Sequence, residues 1–235
     1  MNVFDFLFPP HCISCHKLTQ NQHSFYSYLC PQCLKKINLT KDNFCYGCYQ
    51  PNLWGGTCQK CKKIKPLNGL IIASSYQNPI LKEAIHYFKY YNIKSLSLTL
   101  SWLVMQKIKN FPWRNKKDWL FVPVPLAKKR LKFRGFNQAK LIAHNLAFWL
   151  GIPISSDIIK RIKFRLPQME VQNQKERIRN ISGCFKINKN FNLVLLKNKK
   201  IMLIDDVITT GATLNECANL LRPHVKEVWG CVIAK

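Results

Sequence analysis

The chain has 235 residues, 47% of them hydrophobic, and its 37 Lys and Arg against 11 Asp and Glu give a formal charge of +26. That length suits one large domain or a medium domain with a small one, and the apolar fraction is enough for a packed core. No run reaches the ~20 consecutive apolar residues that a membrane-spanning helix requires. The cationic excess is either a solvated lysine-rich surface or a surface built for polyanions, namely nucleic acid, anionic lipid or phosphorylated small molecules.

Residues 1–10 are apolar but short, lack a basic leader and carry Pro9-Pro10. They read as a packing strand or turn rather than a secretory signal, which predicts a cytoplasmic protein. In that compartment paired cysteines point to metal rather than disulfides. Eight of the eleven cysteines lie between Cys12 and Cys61, as four Cys-x-x-Cys pairs: Cys12 and Cys15, Cys30 and Cys33, Cys45 and Cys48, Cys58 and Cys61. Each pair can set two thiolates on one side of a tight knuckle, and two knuckles complete a tetrahedral four-sulfur site. Four knuckles make two Zn²⁺ sites, paired sequentially in the simplest arrangement, with an interleaved pairing open. Four cysteines per ion leave no open coordination position, so both sites are expected to be structural. His11 and His16 flank the first knuckle as bystanders. The basic stretch 60–66 then marks a boundary, dividing the chain into 1–66 and 67–235.

Beyond it the pattern becomes strand and helix in alternation. Residues 70–73 read as a buried strand, 79–91 and 95–109 as helices, and 119–124 as a strand closed by prolines. A helix is expected from Asn137 to Leu150, stopped by Gly151. A basic segment follows at 160–180, then a short strand near 193–196, a strong strand at 201–204, a helix over 213–221 and a last strand at 228–234. This order predicts an α/β fold, a mostly parallel sheet with helices on its faces. Cys184, Cys217 and Cys231 sit within apolar patterns as small buried hydrophobes, and His144 and His224 carry no constellation.

The sharpest feature runs from Ile201 to Thr213. Four apolar residues end in Asp205-Asp206, and Val207-Ile208-Thr209-Thr210-Gly211-Ala212-Thr213 leads into a helix. The carboxyl end of a parallel strand is where open α/β sheets bind ligands. A tight loop entering a helix offers N–H groups and a favourable dipole to phosphate, and its hydroxyls add donors. Adjacent carboxylates suit the vicinal hydroxyls of a ribose and could share a Mg²⁺–pyrophosphate through water. There is no Gly-Lys-Ser/Thr, so this is not a nucleotide-triphosphatase loop. Lys128, Lys129, Arg130, Lys132 and Arg134 crowd positive charge where a bidentate arginine could meet pyrophosphate.

These thirteen residues resemble the signature of type I phosphoribosyltransferases. The resemblance implies that Asp205 and Asp206 hold the ribose diol, as the catalytic pair if turnover occurs, and that residues 207–213 wrap the 5-phosphate of phosphoribosyl pyrophosphate. More of the chain resembles the ComF family of competence proteins. Val122-Pro123-Val124-Pro125 with Arg130, then Arg134-Gly135-Phe136-Asn137-Gln138, matches its second block. Arg161 to Phe185, with Gln168 and Arg177, matches the segment that closes over substrate, and Tyr76 and Lys89 match a looser block. Arg130, Arg134, Gln168, Arg177 and Lys89 are therefore the pyrophosphate and lid candidates. The resemblance implies a double zinc ribbon before a transferase-like domain, a role in DNA uptake, and binding of phosphoribosyl pyrophosphate or a related ribose phosphate. Single-stranded DNA and other DNA-uptake proteins are the implied partners. Phe25, Tyr26, Tyr28, Tyr46, Tyr49 and Trp54 could stack bases or pack around the metal sites. A true transferase on a small acceptor, and a regulator that senses the ligand without turnover, stand as alternatives. A transferase needs an acceptor pocket, and no segment offers one unless the cysteine module serves.

Overall fold

The computed structural model describes residues 10–19, 27–41, 43–162 and 181–235. Most of residues 1–10, together with Phe25, Tyr26, Gln168 and Arg177, lie outside them. Among the described residues the centre is a four-stranded sheet of β1 (Gly69–Ser74), β2 (Trp119–Pro123), β5 (Lys200–Val207) and β6 (Glu227–Ala234), in the order β1-β6-β5-β2. Every pairing in it is parallel, so β5 is bonded on both edges, Leu203 standing opposite Val122 on one side and Gly230 on the other.

The pleat divides the core in two. Ile71, Phe121, Met202, Ile204 and Ile233 face one layer, while Leu70, Val122, Ile201, Leu203 and Val232 face the other. Burial on both faces explains the near-continuous apolar runs of these strands. The first layer is built by α3 (Pro79–Tyr90), α4 (Leu96–Ile108) and α6 (Gln138–Leu150). Helix α3 starts where the Asn78 side chain accepts from the Leu81 N–H at 3.0 Å with Pro79 next in line, and buries Leu81, Ala84, Ile85 and Phe88. Between α4 and α6, Asn145 Nδ2 donates to Ser97 Oγ at 3.3 Å and Ser101 Oγ at 3.1 Å, which lets polar residues share an apolar interface. Gly151, with φ of +65°, closes α6 as expected.

The second layer holds α7 (Ala212–Leu221) and a two-stranded antiparallel ribbon of β3 (Ile159–Arg161) and β4 (Phe185–Ile187). That ribbon is too short to leave a periodic signal. The segment 193–196, expected to be a strand, is instead a 3₁₀ turn: the Asn192 side chain accepts from the Val194 N–H at 3.0 Å, Val194 and Leu195 are exposed, and Leu196 alone is buried. One inward residue in four cannot hold a strand against a sheet. The basic run before α6 forms its own short helix, α5 (Lys128–Arg134), ended by Gly135 at φ of +71°.

The cysteine-rich segment, with short helices α1 (Pro31–Lys35) and α2 (Gln59–Lys62), covers the outer edge of β1. Leu39 bridges Ser74, Gly56 bridges Gly69, and the Thr40 N–H donates to the Ala73 carbonyl at 2.9 Å. An edge that would otherwise present unpaired backbone groups is thereby closed. At the amino end of the strands, Trp229 fills the space a side chain on Gly69 would occupy, a Cβ there standing 2.2 Å from the indole. Gly69→Ala is therefore expected to destabilise the fold by about 1–3 kcal/mol through overpacking, read as a lower urea midpoint at unchanged slope.

Candidate functional site

Two sulfur clusters and one cleft lined by charged residues make up the candidate site. The cysteines gather as Cys12, Cys15, Cys30 and Cys33, and as Cys45, Cys48, Cys58 and Cys61, the sulfurs of each group lying within 4.8 Å of one another. This is the sequential pairing. Cys15 and Cys30 sulfurs are 3.7 Å apart and those of Cys48 and Cys58 3.8 Å. A tetrahedron with metal–sulfur bonds of ~2.3 Å has edges of about 3.8 Å, whereas a disulfide would bring the sulfurs to ~2.05 Å. Backbone N–H groups point at the thiols: Cys30 toward Cys12 at 3.4 Å, Cys58 and Gly47 toward Cys45 at 3.2 and 3.4 Å. Burial opposes ionisation of Cys12, but the backbone donors outweigh it and lower its thiol to about 7; the same balance lowers Cys45 to about 6. The donor set and geometry fit structural zinc, with no position left for a substrate.

The second cluster is also fixed to the fold's ligand loop. Tyr46, inside the third knuckle, donates from Oη to Asn215 Oδ1 at 3.0 Å on α7, and a Cβ on Gly211 would stand 2.1 Å from that oxygen. Gly211 thus turns the chain at φ of +78° and leaves room for the tyrosine.

The cleft, of about 480 Å³, opens at the carboxyl ends of β5 and β2. Of the residues singled out from the sequence, Asp205, Asp206, Val207, Ile208, Thr209, Thr213, Lys89, Arg130 and Arg134 line it. Thr210 faces a neighbouring cavity, and Gly211 and Ala212 form the turn into α7. Residues that the site assignment from sequence passed over complete the wall, among them Gln77, Asn137, Gln138, Arg161 and Lys235. Arg161 arrives on β3, whose three residues gave no pattern, while Asn137 and Gln138 were visible as a motif without a role.

Alternation along β5 turns the two acids to opposite faces of the sheet end. Asp206 meets Lys89 of α3 at 3.0 Å. Asp205 sits toward α7, where burial first and the Asp206 carboxylate second raise it to about 7, against the pull of the Asp206 N–H, Lys89 and Arg161. Each carboxylate accepts from the next backbone N–H, Asp206 N to Asp205 at 2.9 Å and Val207 N to Asp206 at 2.6 Å. Across the cleft, burial and then the neighbouring Arg134 and Arg161 lower the Arg130 guanidinium, which stays charged at neutral pH. Arg134 lies 5.2 Å from the Tyr90 ring and reaches Gln138 Oε1 at 3.5 Å. Five cations, Lys89, Arg130, Arg134, Arg161 and Lys235, thus face two carboxylates. Such a cleft favours an anion with hydroxyls on one side.

The chain is similar to known proteins along most of its length. The double zinc ribbon domain matches residues 3–62. Competence protein F of Haemophilus influenzae is 31% identical over 231 residues, covering 88% of this chain and 97% of that protein. The chain belongs to the competence protein F family. Competence protein ComFC of Bacillus subtilis is 28% identical over 200 residues, 82% of this chain and 77% of that protein. The DNA utilization protein YhgH of Escherichia coli is 26% identical over 216 residues, 89% and 83% respectively. Among the described residues no helix is long and apolar enough to cross a membrane.

Two outcomes are expected. A Cβ on Gly47 would stand 2.6 Å from the Cys61 sulfur, so Gly47→Ala should lower bound zinc from about two to about one per chain, measured by metal analysis of the purified protein. The folded chain binds more protons at Asp205 than the unfolded chain does between pH 3.8 and about 7, so this group costs stability as pH rises through that window and costs it fully above 7. Asp205→Asn should therefore melt higher than the parent at pH 8, with the difference shrinking toward pH 5.

Proposed function

We propose that this chain is a DNA-uptake protein of the cytoplasm that binds phosphoribosyl pyrophosphate, or a related ribose phosphate, in the cleft at the end of β5. The observation that carries the reading is the opposition of Asp205 and Asp206 to Arg130, Arg134 and Arg161 around one 480 Å³ space. The carboxylates accept from ribose hydroxyls, the 208–213 turn and the start of α7 take the 5-phosphate, and the arginines take pyrophosphate. Lys89 holds Asp206 in place and balances its charge. Asp205 and Asp206 are the carboxylates lining the cleft, so they would hold a Mg²⁺ arriving with pyrophosphate, directly or through water, and the ion would neutralise part of its charge.

Relatives named for competence and for DNA utilization support a role in handling incoming DNA. Exposed Lys128, Lys129 and Lys132 lie on α5 with Phe133, which is 74% exposed, on the helix that lends Arg130 and Arg134 to the cleft. Cations interleaved with an open aromatic ring suit single-stranded DNA. Turnover on a small acceptor is the second reading, favoured by the apolar cavity that adjoins the cleft. In that case the carboxylates would orient the sugar as positive charge develops on it, and the arginines would steady the departing pyrophosphate.

Calorimetric titration of phosphoribosyl pyrophosphate with Mg²⁺ tests the reading. Saturable binding is expected, weakened at least tenfold in Asp205→Ala/Asp206→Ala, since each hydrogen bond to a charged group is worth about 1.5–3 kcal/mol. No binding to the parent protein would overturn it. Pyrophosphate released on adding a nucleobase favours turnover, and its absence a binding or sensing role.

A further inference from the structure

The two sulfur clusters differ in exposure. Cys12, Cys30 and Cys33 are buried in the main core beside Leu29, Leu34 and Ile37, whereas in the second cluster only Cys45 is buried and Cys48 is exposed. An oxidant in solution therefore meets the second cluster first. Cys48 has the Cys58 sulfur 3.8 Å away. The knuckle that carries Cys48 also carries the link to the ligand loop, because Tyr46 donates to Asn215 Oδ1 at 3.0 Å and its hydroxyl fills the space a Cβ on Gly211 would take. Tyr49 follows Cys48 at φ of +59°, a left-handed conformation that a bulky side chain holds only where its surroundings enforce it. Downstream, the segment is tied to the fold without metal: Gly56 bridges Gly69, and Thr57 Oγ1 donates to the Leu67 carbonyl at 2.7 Å. Loss of the metal therefore loosens the 45–49 turn before it uncovers the edge of β1.

We infer that the second cluster is an oxidation site: a peroxide joins Cys48 to Cys58, zinc leaves, and the ligand loop loses the Tyr46 support that presets it for phosphate. One zinc-bound thiolate attacks a peroxide oxygen, the O–O bond breaks, and a sulfenic acid forms as hydroxide departs. The other thiolate attacks that sulfur, the S–S bond forms, and a second hydroxide departs. Each sulfur gives up one electron, and two protons from solvent convert the hydroxides to water. Cys45 and Cys61 alone cannot complete a tetrahedral site, so the metal is released. A loop no longer held in place must be ordered when an anion arrives, which lowers affinity. By linkage, an anion on the loop favours the zinc-loaded knuckle by the same factor. The effect on phosphate rests on the ribose-phosphate reading of the cleft, while the oxidation and the loosening of the loop do not.

The test titrates hydrogen peroxide into the zinc-loaded full chain. Released metal is followed with a chromogenic chelator, disulfides are mapped by mass spectrometry, and backbone hydrogen exchange is read on the peptide spanning residues 207–213. The zinc of the second cluster is expected to leave first, together with a Cys48–Cys58 disulfide. Exchange in that peptide should quicken about two- to tenfold, the effect of one lost hydrogen bond. Dithiothreitol with added zinc should restore both. Asn215→Leu removes the acceptor of Tyr46 without touching a cysteine. It should release the same zinc, but its loop should exchange fast before peroxide is added and change little afterwards. Tyr46→Phe, which loses the same hydrogen bond, serves if that variant does not fold. Both ions leaving together, a first disulfide other than Cys48–Cys58, or loop exchange unmoved by zinc loss overturns the inference. Calorimetry with phosphoribosyl pyrophosphate and Mg²⁺ on reduced and oxidised protein reads the coupling: affinity should fall on oxidation by the factor seen in exchange, and equal affinities overturn it. Where the reduced protein binds no ligand, the reading of the cleft fails, and the zinc, disulfide and exchange data still decide the switch.

Discussion

Strand β5 has a parallel partner on each edge, and the position of its carboxyl end sets the position of everything that could meet a ligand. The ladder with β2 reaches Ile204, whose carbonyl still accepts from the Val124 N–H, and the ladder with β6 runs on to Val207, beyond which the Ile208 N–H donates to the Ala234 carbonyl. The backbone is therefore held on both sides of Asp205 and Asp206. Two like charges at the end of a buried strand would repel. The fold answers this with a raised pKa at one and Lys89 beside the other, so the pair is maintained at some cost in stability. A site under that electrostatic load is poised for a ligand that hydrogen-bonds carboxylates, because such a ligand relieves what the fold alone must bear.

The same economy governs the cations. Most of the described lysines are exposed, but the cleft concentrates Arg130, Arg134 and Arg161 where Arg130 lies in the field of the other two. Clustered guanidiniums with few acids between them are unfavourable unless an anion joins them, and at short range their planar donors grip phosphate better than lysine would. The arginines come from α5 and β3, elements on different sides of the sheet end, so an anion between them would tie the two together.

The sulfur clusters give the cysteine-rich segment a rigidity that its few apolar residues could not. That rigidity is put to two uses. Residues 38–40 close the edge of β1, and the third knuckle presses Tyr46 against the ligand loop. The second sulfur cluster is in this way mechanically connected to the ligand loop, through one tyrosine, one glycine and one asparagine.

How far the sequence reached depends on the range of the interactions involved. Four Cys-x-x-Cys pairs name their chemistry because knuckle geometry is local, and the run from Ile201 to Thr213 names its position because a buried strand, two acids and a hydroxyl turn are contiguous. The helices with strong apolar faces were equally legible, α3 through Leu81, Ile85 and Phe88 and α6 through its Gly151 stop. The 193–196 turn was misread because four apolar residues carry no period, and the β3–β4 ribbon that delivers Arg161 was too short to have one. By itself the sequence determined the α/β class, the metal-binding cysteines and the place of the acidic loop, all properties of neighbours along the chain. Only the tertiary structure decided which cysteines share a cluster, that Lys89 pairs with Asp206, and that Tyr46 seats on Gly211. Those are meetings between residues from 10 to 165 positions apart, and packing, not pattern, brings them together.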